Sequence, residues 1–247
     1  LRPCAGSGQA FSGRLLAVVA TMLLTPGVRA ELILSLPPTP EILRSGDIDF
    51  FTHTPDSKKN NRVSIFYATP RLLAAPDDPT QGYGRKYDAN LRFGVADLLI
   101  GPENLAWTFL HRHTTTAERE DVMDLSLRTV HPVAELTPED DTAALSAPQR
   151  AFIDQINQAL EESVLDDLTI FVHGAFNSFY YAAAEAAQYK FFTGKQAVVL
   201  LFAWPTIEDH IAYGRNAKRA EGSEQAFNRM LELLARHSKS ERINIIG

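Results

Sequence analysis

An α/β fold on a largely parallel sheet is predicted for this chain by three observations. Residues 168–246 alternate apolar runs of strand length with longer amphipathic stretches, in the order strand, helix, strand, helix, strand. Such alternation places successive strands parallel in one sheet, joined by right-handed crossovers. Two of the runs, 168–172 (LTIFV) and 197–203 (AVVLLFA), are continuously apolar or β-branched, as strands covered on both faces must be. The 247 residues are 45% hydrophobic and 22% charged, which suffices for one sizeable core.

Residues 11–30 read as a secretory leader. Arg14 supplies a positive n-region, 15–24 (LLAVVATMLL) an apolar h-region, and Val28, Arg29 and Ala30 fit the small-residue cleavage rule. The apolar run is short for a bilayer span; the alternative is a buried helix ended by Pro26 and Gly27. Leader removal near Glu31 leaves no stable membrane span and an exported protein, periplasmic or secreted; an uncleaved leader would anchor it instead. Cys4 is the sole cysteine, which excludes an intrachain disulfide and a cysteine metal cluster. An exported protein lacking cysteine in its mature part suits a bacterial periplasm. The net charge of −6 gives no support for nucleic acid as a partner.

Residues 31–61 contain Pro37, Pro38, Pro40 and Pro55, which forbid a regular helix. They read as a linker or an arm lying on the domain, with Lys58, Lys59, Asn60 and Asn61 a solvated turn. The globular part, 62–247, opens with strand composition at 63–68 (VSIFYA), closed by Thr69, Pro70 and Arg71. Residues 76–90 form a polar loop in which Gly82 and Gly84 are too little for a phosphate cradle. A second strand is expected at 91–100 with a bend at Gly94, and further short strands at 107–110 and 126–134. Glu118, Arg119, Glu120 and Asp121 form a solvated face.

Ser146 and Gln149 have capping-box spacing, with Pro148 in the first turn, and Phe152, Ile156, Ala159 and Leu160 then share one helical face. After the strand at 168–172, Asn177 or Ser178 serves as an N-cap. Phe179, Ala182, Ala183, Ala186 and Tyr189 follow on a face whose alanines let the helix sit close to a sheet, and Gly194 ends it. Trp204 and Pro205 close the strand at 197–203. Thr206 and Asp209 again have capping-box spacing. A helical region then reaches Ser238, with Gly214 and Gly222 as breaks and Phe227, Met230, Leu231 and Leu234 on one stripe. A last strand is expected at 243–246.

The chemistry concentrates where 168–172 delivers His173-Gly174 into a tight loop, since such a loop can aim backbone N–H groups at an oxyanion. In order and spacing, several pieces together resemble the N-terminal part of an α/β-hydrolase. They are Phe66-Tyr67-Ala68-Thr69 with Arg71, Leu91-Arg92-Phe93-Gly94, Phe171-Val172-His173-Gly174, Asn177-Ser178-Phe179 with Ala182, Phe202-Ala203-Trp204-Pro205, Tyr213, and 243–247. The likeness is to a bacterial branch of esterase- or lipase-like proteins classed as a domain of unknown function. It implies the α/β-hydrolase fold, a mostly parallel sheet with helices on both faces, here ending at the strand before the nucleophile elbow. Gly247 would be the first Gly of G-x-S-x-G, and the Ser, the acid and the His would follow it. No catalytic residue then lies within the chain, which reads as a fragment. The implied oxyanion loop is His173, Gly174, Ala175 and Phe176, with the N–H of Ala175 or Phe176 as donor. The family often has Phe then Asn directly after His-Gly, where this chain has Ala175 and Phe176. His173 is expected to bind loop backbone rather than transfer a proton, and Gly174 to take a positive φ or allow close backbone approach. Trp204 and Tyr213 are candidates for lining an acyl or alcohol pocket; a Trp there also reads as a core cap.

The resemblance implies an exported serine hydrolase acting on small-molecule or lipid-like esters through an acyl-serine, with no cofactor. A non-catalytic binding or scaffold protein of the same fold is one alternative. Another is a metal-dependent hydrolase in which His111 and His113, alternate residues on one strand face, join His131 in a site of zinc type. The plainer reading of that histidine stretch is a polar loop. Ser178, an N-cap, is no nucleophile. A chain cut at Gly247 would leave 243–246 an incomplete central strand with an exposed edge. The isolated segment 31–247 is therefore expected to aggregate; a cooperative thermal transition of a monomer, seen by calorimetry, would contradict this.

Overall fold

The computed structural model describes residues 34–36, 49–78, 81–115, 123–207 and 213–247. The leader at 11–30, the acidic face at 118–121 and Asp209 lie outside the described residues. Seven strands and four helices follow in chain order: β1 (Leu34–Ser35), β2 (Arg62–Leu73), β3 (Tyr83–Ile100), α1 (Trp107–Thr115), β4 (Asp124–Leu136), α2 (Ala147–Glu161), β5 (Asp167–Val172), α3 (Phe179–Phe192), β6 (Val198–Phe202), α4 (Tyr213–His237) and β7 (Arg242–Ile246). The strands form one sheet in the order β1-β4-β3-β2-β6-β5-β7. From β1 to β2 the pairings are antiparallel. From β2 through β6 and β5 to β7 they are parallel, as the alternation over 168–246 predicts.

The alternation of side chains along the central strands builds a core on each face. In β2, Ile65 and Tyr67 face one core and Phe66 and Ala68 the other; in β6, Val199 and Leu201 face the first and Val198, Leu200 and Phe202 the second. The first core is covered by α3 through Phe179, Ala182, Ala183, Ala186, Ala187 and Phe191, and by Leu110 of α1. The second is covered by α2 through Phe152, Ile153, Ile156 and Leu160, and by Met230, Leu233 and Leu234 of α4. Helices therefore lie on both faces of the sheet.

Local rules account for most of the boundaries. The Ser146 N–H donates to Gln149 Oε1 at 2.9 Å, the reach-back of the capping box. Ser178 Oγ accepts from the Tyr181 N–H at 3.2 Å and starts α3. Gly194 ends α3 with φ +69. Gly94 lies at a register shift between β3 and β4, where a Cβ would stand 2.1 Å from His131 O and 2.4 Å from Tyr67 Oη.

Four expectations need correction. Residues 76–90 are not all loop: β3 begins at Tyr83, and Leu73 pairs with Tyr83 and Arg71 with Tyr87. Arg85, Lys86 and Tyr87 are exposed, so their polarity reports a solvated strand, not a missing one. β2 likewise continues through Pro70, because a register shift between Thr69 and Arg71 removes the need for an N–H there. Residues 107–110 belong to helix α1, whose buried Leu110 and Thr114 are four apart, a helical spacing that its aromatic and β-branched composition obscures. Finally, Gly214 and Gly222 do not interrupt α4. A helical Gly costs about 1 kcal/mol against Ala, less than burial of even one of its large apolar side chains contributes.

Residues 49–61 lie against the domain. Phe51 is buried, with its ring 4.9 Å from Trp107 and 5.1 Å from Phe191. Lys195 Nζ donates to Lys58 O at 2.6 Å and Asn60 O at 3.0 Å. Asn61, expected in a solvated turn, is buried and donates to Ile100 O at 2.9 Å. Among the described residues no helix is long and apolar enough to cross a membrane.

The two mid-element glycines should respond oppositely to a methyl group. Gly94→Ala drives a Cβ into a backbone carbonyl and is expected to lower stability by about 1–3 kcal/mol. Gly222→Ala, where a Cβ meets nothing within 4 Å, is expected to be neutral or to add up to ~1 kcal/mol. Urea unfolding of the two variants checks both.

Candidate functional site

Parallel strands present their carboxyl ends at one edge of a sheet, where α/β proteins place their ligands. Here β5 is flanked by β6 on one side and β7 on the other. That edge therefore gathers the loop 173–178 after β5, the segment 203–207 after β6, and Gly247 after β7. Gly247 packs closely: a Cβ on it would stand 2.6 Å from Val172 O.

His173 is 3% exposed. Its ring stacks on Trp204, with centroids 5.2 Å apart and planes 3° from parallel. His173 Nδ1 lies 2.7 Å from Gly174 O, and Nε2 lies 3.1 Å from Trp204 O and 3.4 Å from Arg71 Nη2. The Nδ1–H tautomer fits these neighbours best. It donates to Gly174 O and turns the Nε2 lone pair to the guanidinium, leaving that lone pair 3.1 Å from Trp204 O, whereas the other tautomer sets a lone pair against a carbonyl oxygen at the shorter 2.7 Å and an N–H against the cation. Burial first, and the Arg71 cation second, lower the His173 pKa to about 3. The ring is neutral in the fold and shapes the loop through backbone bonds.

The directions of the loop amides follow from where its carbonyls go. Trp204 Nε1–H donates to His173 O at 2.8 Å, the His173 ring holds Gly174 O, and Arg71 Nη2–H donates to Asn177 O at 2.9 Å. Thr206 Oγ1–H donates to the same Asn177 oxygen. No cis peptide occurs among the described residues, and across a trans peptide the C=O and the next N–H point in opposite directions. The N–H of Gly174 therefore points away from Trp204, and that of Ala175 away from the His173 ring. Among the described residues, none accepts a hydrogen bond from either group. Gly174 itself is exposed and Ala175 half-buried.

Of the four predicted loop residues, Gly174 departs from expectation. It has no positive φ, and a Cβ on it would meet nothing within 4 Å. The left-handed residue is Phe176, at φ 72, which for a residue with a Cβ costs roughly 1–2 kcal/mol. Such strain persists where the surroundings over-determine it; here Asn177, next in the chain, is held by Arg71, by Thr206, and by Glu185 Oε2 at 2.7 Å from its Nδ2.

A cavity of about 500 Å³ lies beside this edge, lined by Val172, Phe202, Trp204, Phe227, Ile246 and Gly247, with Glu221 and Glu224 also on its wall. Trp204 is buried in the second core and also lines this cavity. The Tyr213 side chain lies outside the described residues.

The histidine set is not brought together. His111 and His113 lie on α1 rather than on a strand, so residues two apart point about 200° apart. His111 Nε2 meets Asp49 Oδ2 at 3.1 Å, His113 stacks on Phe109 at 5.8 Å, and His131, on β4, lies 3.5 Å from Asp97 Oδ2. Among the described residues no three His, Cys, Asp or Glu side chains are placed to hold a metal ion. Ser64, Asp97 and His131 do form a group, but Ser64 Oγ donates directly to Asp97 Oδ1 at 2.5 Å. The imidazole is not its proton acceptor, so this is no nucleophile–base pair.

In the sequence, Arg71 marks only the close of a strand and part of a motif. It is 0% exposed. Besides Asn177 O, its guanidinium donates to Trp204 O from Nε at 3.1 Å and from Nη2 at 2.6 Å, to Ala203 O from Nε at 3.3 Å, and to Gly84 O from Nη1 at 3.4 Å. The available signal was a cation at the end of an apolar strand, a position that demands buried partners.

Residues 149–247, from the third residue of α2 to the residue after β7, match the family described as "Alpha/beta hydrolase of unknown function (DUF900)". No curated protein and no solved structure matches the chain. Over these residues the α/β-hydrolase resemblance read from the motifs agrees with the match, to a family whose function is open.

The buried neutral imidazole makes stability depend on pH. Its folded pKa of about 3 lies below the unfolded value near 6.5. Its contribution is complete above about pH 6.5 and is lost as pH falls from there toward 3, because the unfolded chain takes up the proton first. Urea midpoints are expected to drop between pH 7 and pH 4.5 more steeply in the wild type than in His173→Asn, whose amide can still donate to Gly174 O. Equal slopes would contradict the assignment.

Proposed function

We propose that the chain is the N-terminal part of an exported serine hydrolase that cleaves carboxylic esters. The observation that supports this best is the pair of outward-turned amides, Gly174 and Ala175, in the loop that follows β5, the strand next to β7. Acyl transfer places negative charge on the former carbonyl oxygen in the tetrahedral intermediate, and preorganised N–H donors lower that barrier. The nucleophile would be a Ser two residues beyond Gly247, at the sharp turn after β7, with its acid and His later in the chain. The serine attacks the acyl carbon and the alcohol leaves. Water then releases the acid from the acyl-serine.

This chain's own residues would take three parts. Gly174 and Ala175 supply one or both oxyanion donors from this loop. The apolar wall of Val172, Phe202, Trp204 and Phe227 receives an acyl or alcohol group. Glu221 and Glu224 on the same wall disfavour an anionic substrate, so neutral esters are the preferred class. His173, neutral and enclosed, carries no proton in the reaction. Export rests on the residue pattern at 11–30.

A fluorophosphonate probe applied to fractionated cells making the full-length protein tests the reading. The expected result is a label on the serine two residues after Gly247, in the exported fraction, competed by a neutral p-nitrophenyl ester. A folded protein that takes no label supports the non-catalytic alternative; a label confined to the cytosol overturns export.

A further inference from the structure

The carbonyls of the loop 173–178 accept from three side chains that reach it from outside: Trp204 at His173 O, and Arg71 and Thr206 at Asn177 O. Of these, Arg71 has the longest span. One guanidinium joins the loop after β5 (Asn177 O) to the segment after β6 (Ala203 O and Trp204 O) and to β3 (Gly84 O). Its Nη2 also faces His173 Nε2 at 3.4 Å. That contact favours the tautomer whose Nδ1–H holds Gly174 O. Two ends of the loop, at Gly174 and at Asn177, are therefore referred to one buried cation. Charge-assisted donors of this kind are stronger than neutral ones, and more so away from water.

We infer that Arg71 is a positioning residue of the active site, holding Asn177 O directly and Gly174 O through the His173 ring, so that the loop amides, that of Ala175 above all, face the reacting carbonyl. The inference rests on the hydrolase reading above. Arg71 touches no substrate; it acts through the loop. The role needs the planar fork, because the carbonyls it joins come from separate segments. A lysine ammonium, a compact point charge on a flexible stem, cannot span them.

The test is Arg71→Lys in the full-length enzyme, assayed with a neutral p-nitrophenyl ester. The expected result is a kcat lower on the order of 10²-fold, the scale of a lost or displaced oxyanion donor, with KM within about threefold. Hydrogen–deuterium exchange gives a readout independent of turnover: amides 174–178 are expected to exchange faster in the variant while β5 and β6 keep wild-type protection. A folded Arg71→Lys with wild-type kcat and wild-type loop exchange overturns the inference. So does a fall in kcat accompanied by a general loss of protection in β5 and β6, which would mark Arg71 as a stability element. Should Arg71→Lys fail to fold, Arg71→Gln, whose planar amide keeps donors but is too short to join all of the segments the guanidinium spans, decides. A fall in kcat at constant KM supports the inference, and unchanged kcat overturns it. A wild-type enzyme that takes no phosphonate label and cleaves no ester overturns the hydrolase reading itself, a result seen before any variant is made.

Discussion

A carbonyl at the end of a buried parallel strand must find a donor, and the donors available decide which way the following peptide faces. At the carboxyl edge of this sheet they are the Trp204 indole, the His173 ring and the Arg71 guanidinium. With each oxygen drawn inward, planarity of the peptide turns the next N–H outward. The orientation of Gly174 and Ala175 is therefore a by-product of satisfying their neighbours' oxygens. Backbone alone carries it, so the side-chain identity of Ala175 and Phe176 is of little consequence to it.

The same edge shows why a histidine is used without its usual titration. Stacked on Trp204 and enclosed, its ring has one nitrogen committed to Gly174 O and the other facing a cation. Protonation would bury a second positive charge beside Arg71, so the ring stays neutral at physiological pH. A neutral imidazole offers one donor and one acceptor at fixed positions. Those are the two groups this corner requires.

The packing behind the edge keeps it rigid. β5 and β6 lie between two cores, with α3 on one face and α2 and α4 on the other. Five consecutive residue pairs join β5 to β6, and five join β5 to β7. The loop thus grows from a strand paired on both sides and covered on both faces. The strained φ of Phe176 sits where this support is available to hold it.

Much of this was legible in the residues themselves. Continuous apolar runs marked β5 and β6, a capping box marked the start of α2, and alanines at helical spacing marked α3 as a close-packed helix. Gly94 and Gly194 signalled a bend and a helix end, and His173-Gly174 marked the end of β5 and the start of its loop. These are local signals, set by periodicity, capping chemistry and φ, and they require no knowledge of distant partners. The outer half of β3, the helical state of α1, the persistence of α4 through Gly222, the positive φ at Phe176 in place of Gly174, and the office of Arg71 were decided by tertiary structure. Each depends on what stands opposite: a partner strand for Tyr83 and Tyr87, a core for Leu110 and Met230, and carbonyls more than a hundred residues away for Arg71. A sequence states which groups need partners; only the folded chain determines which partners meet them.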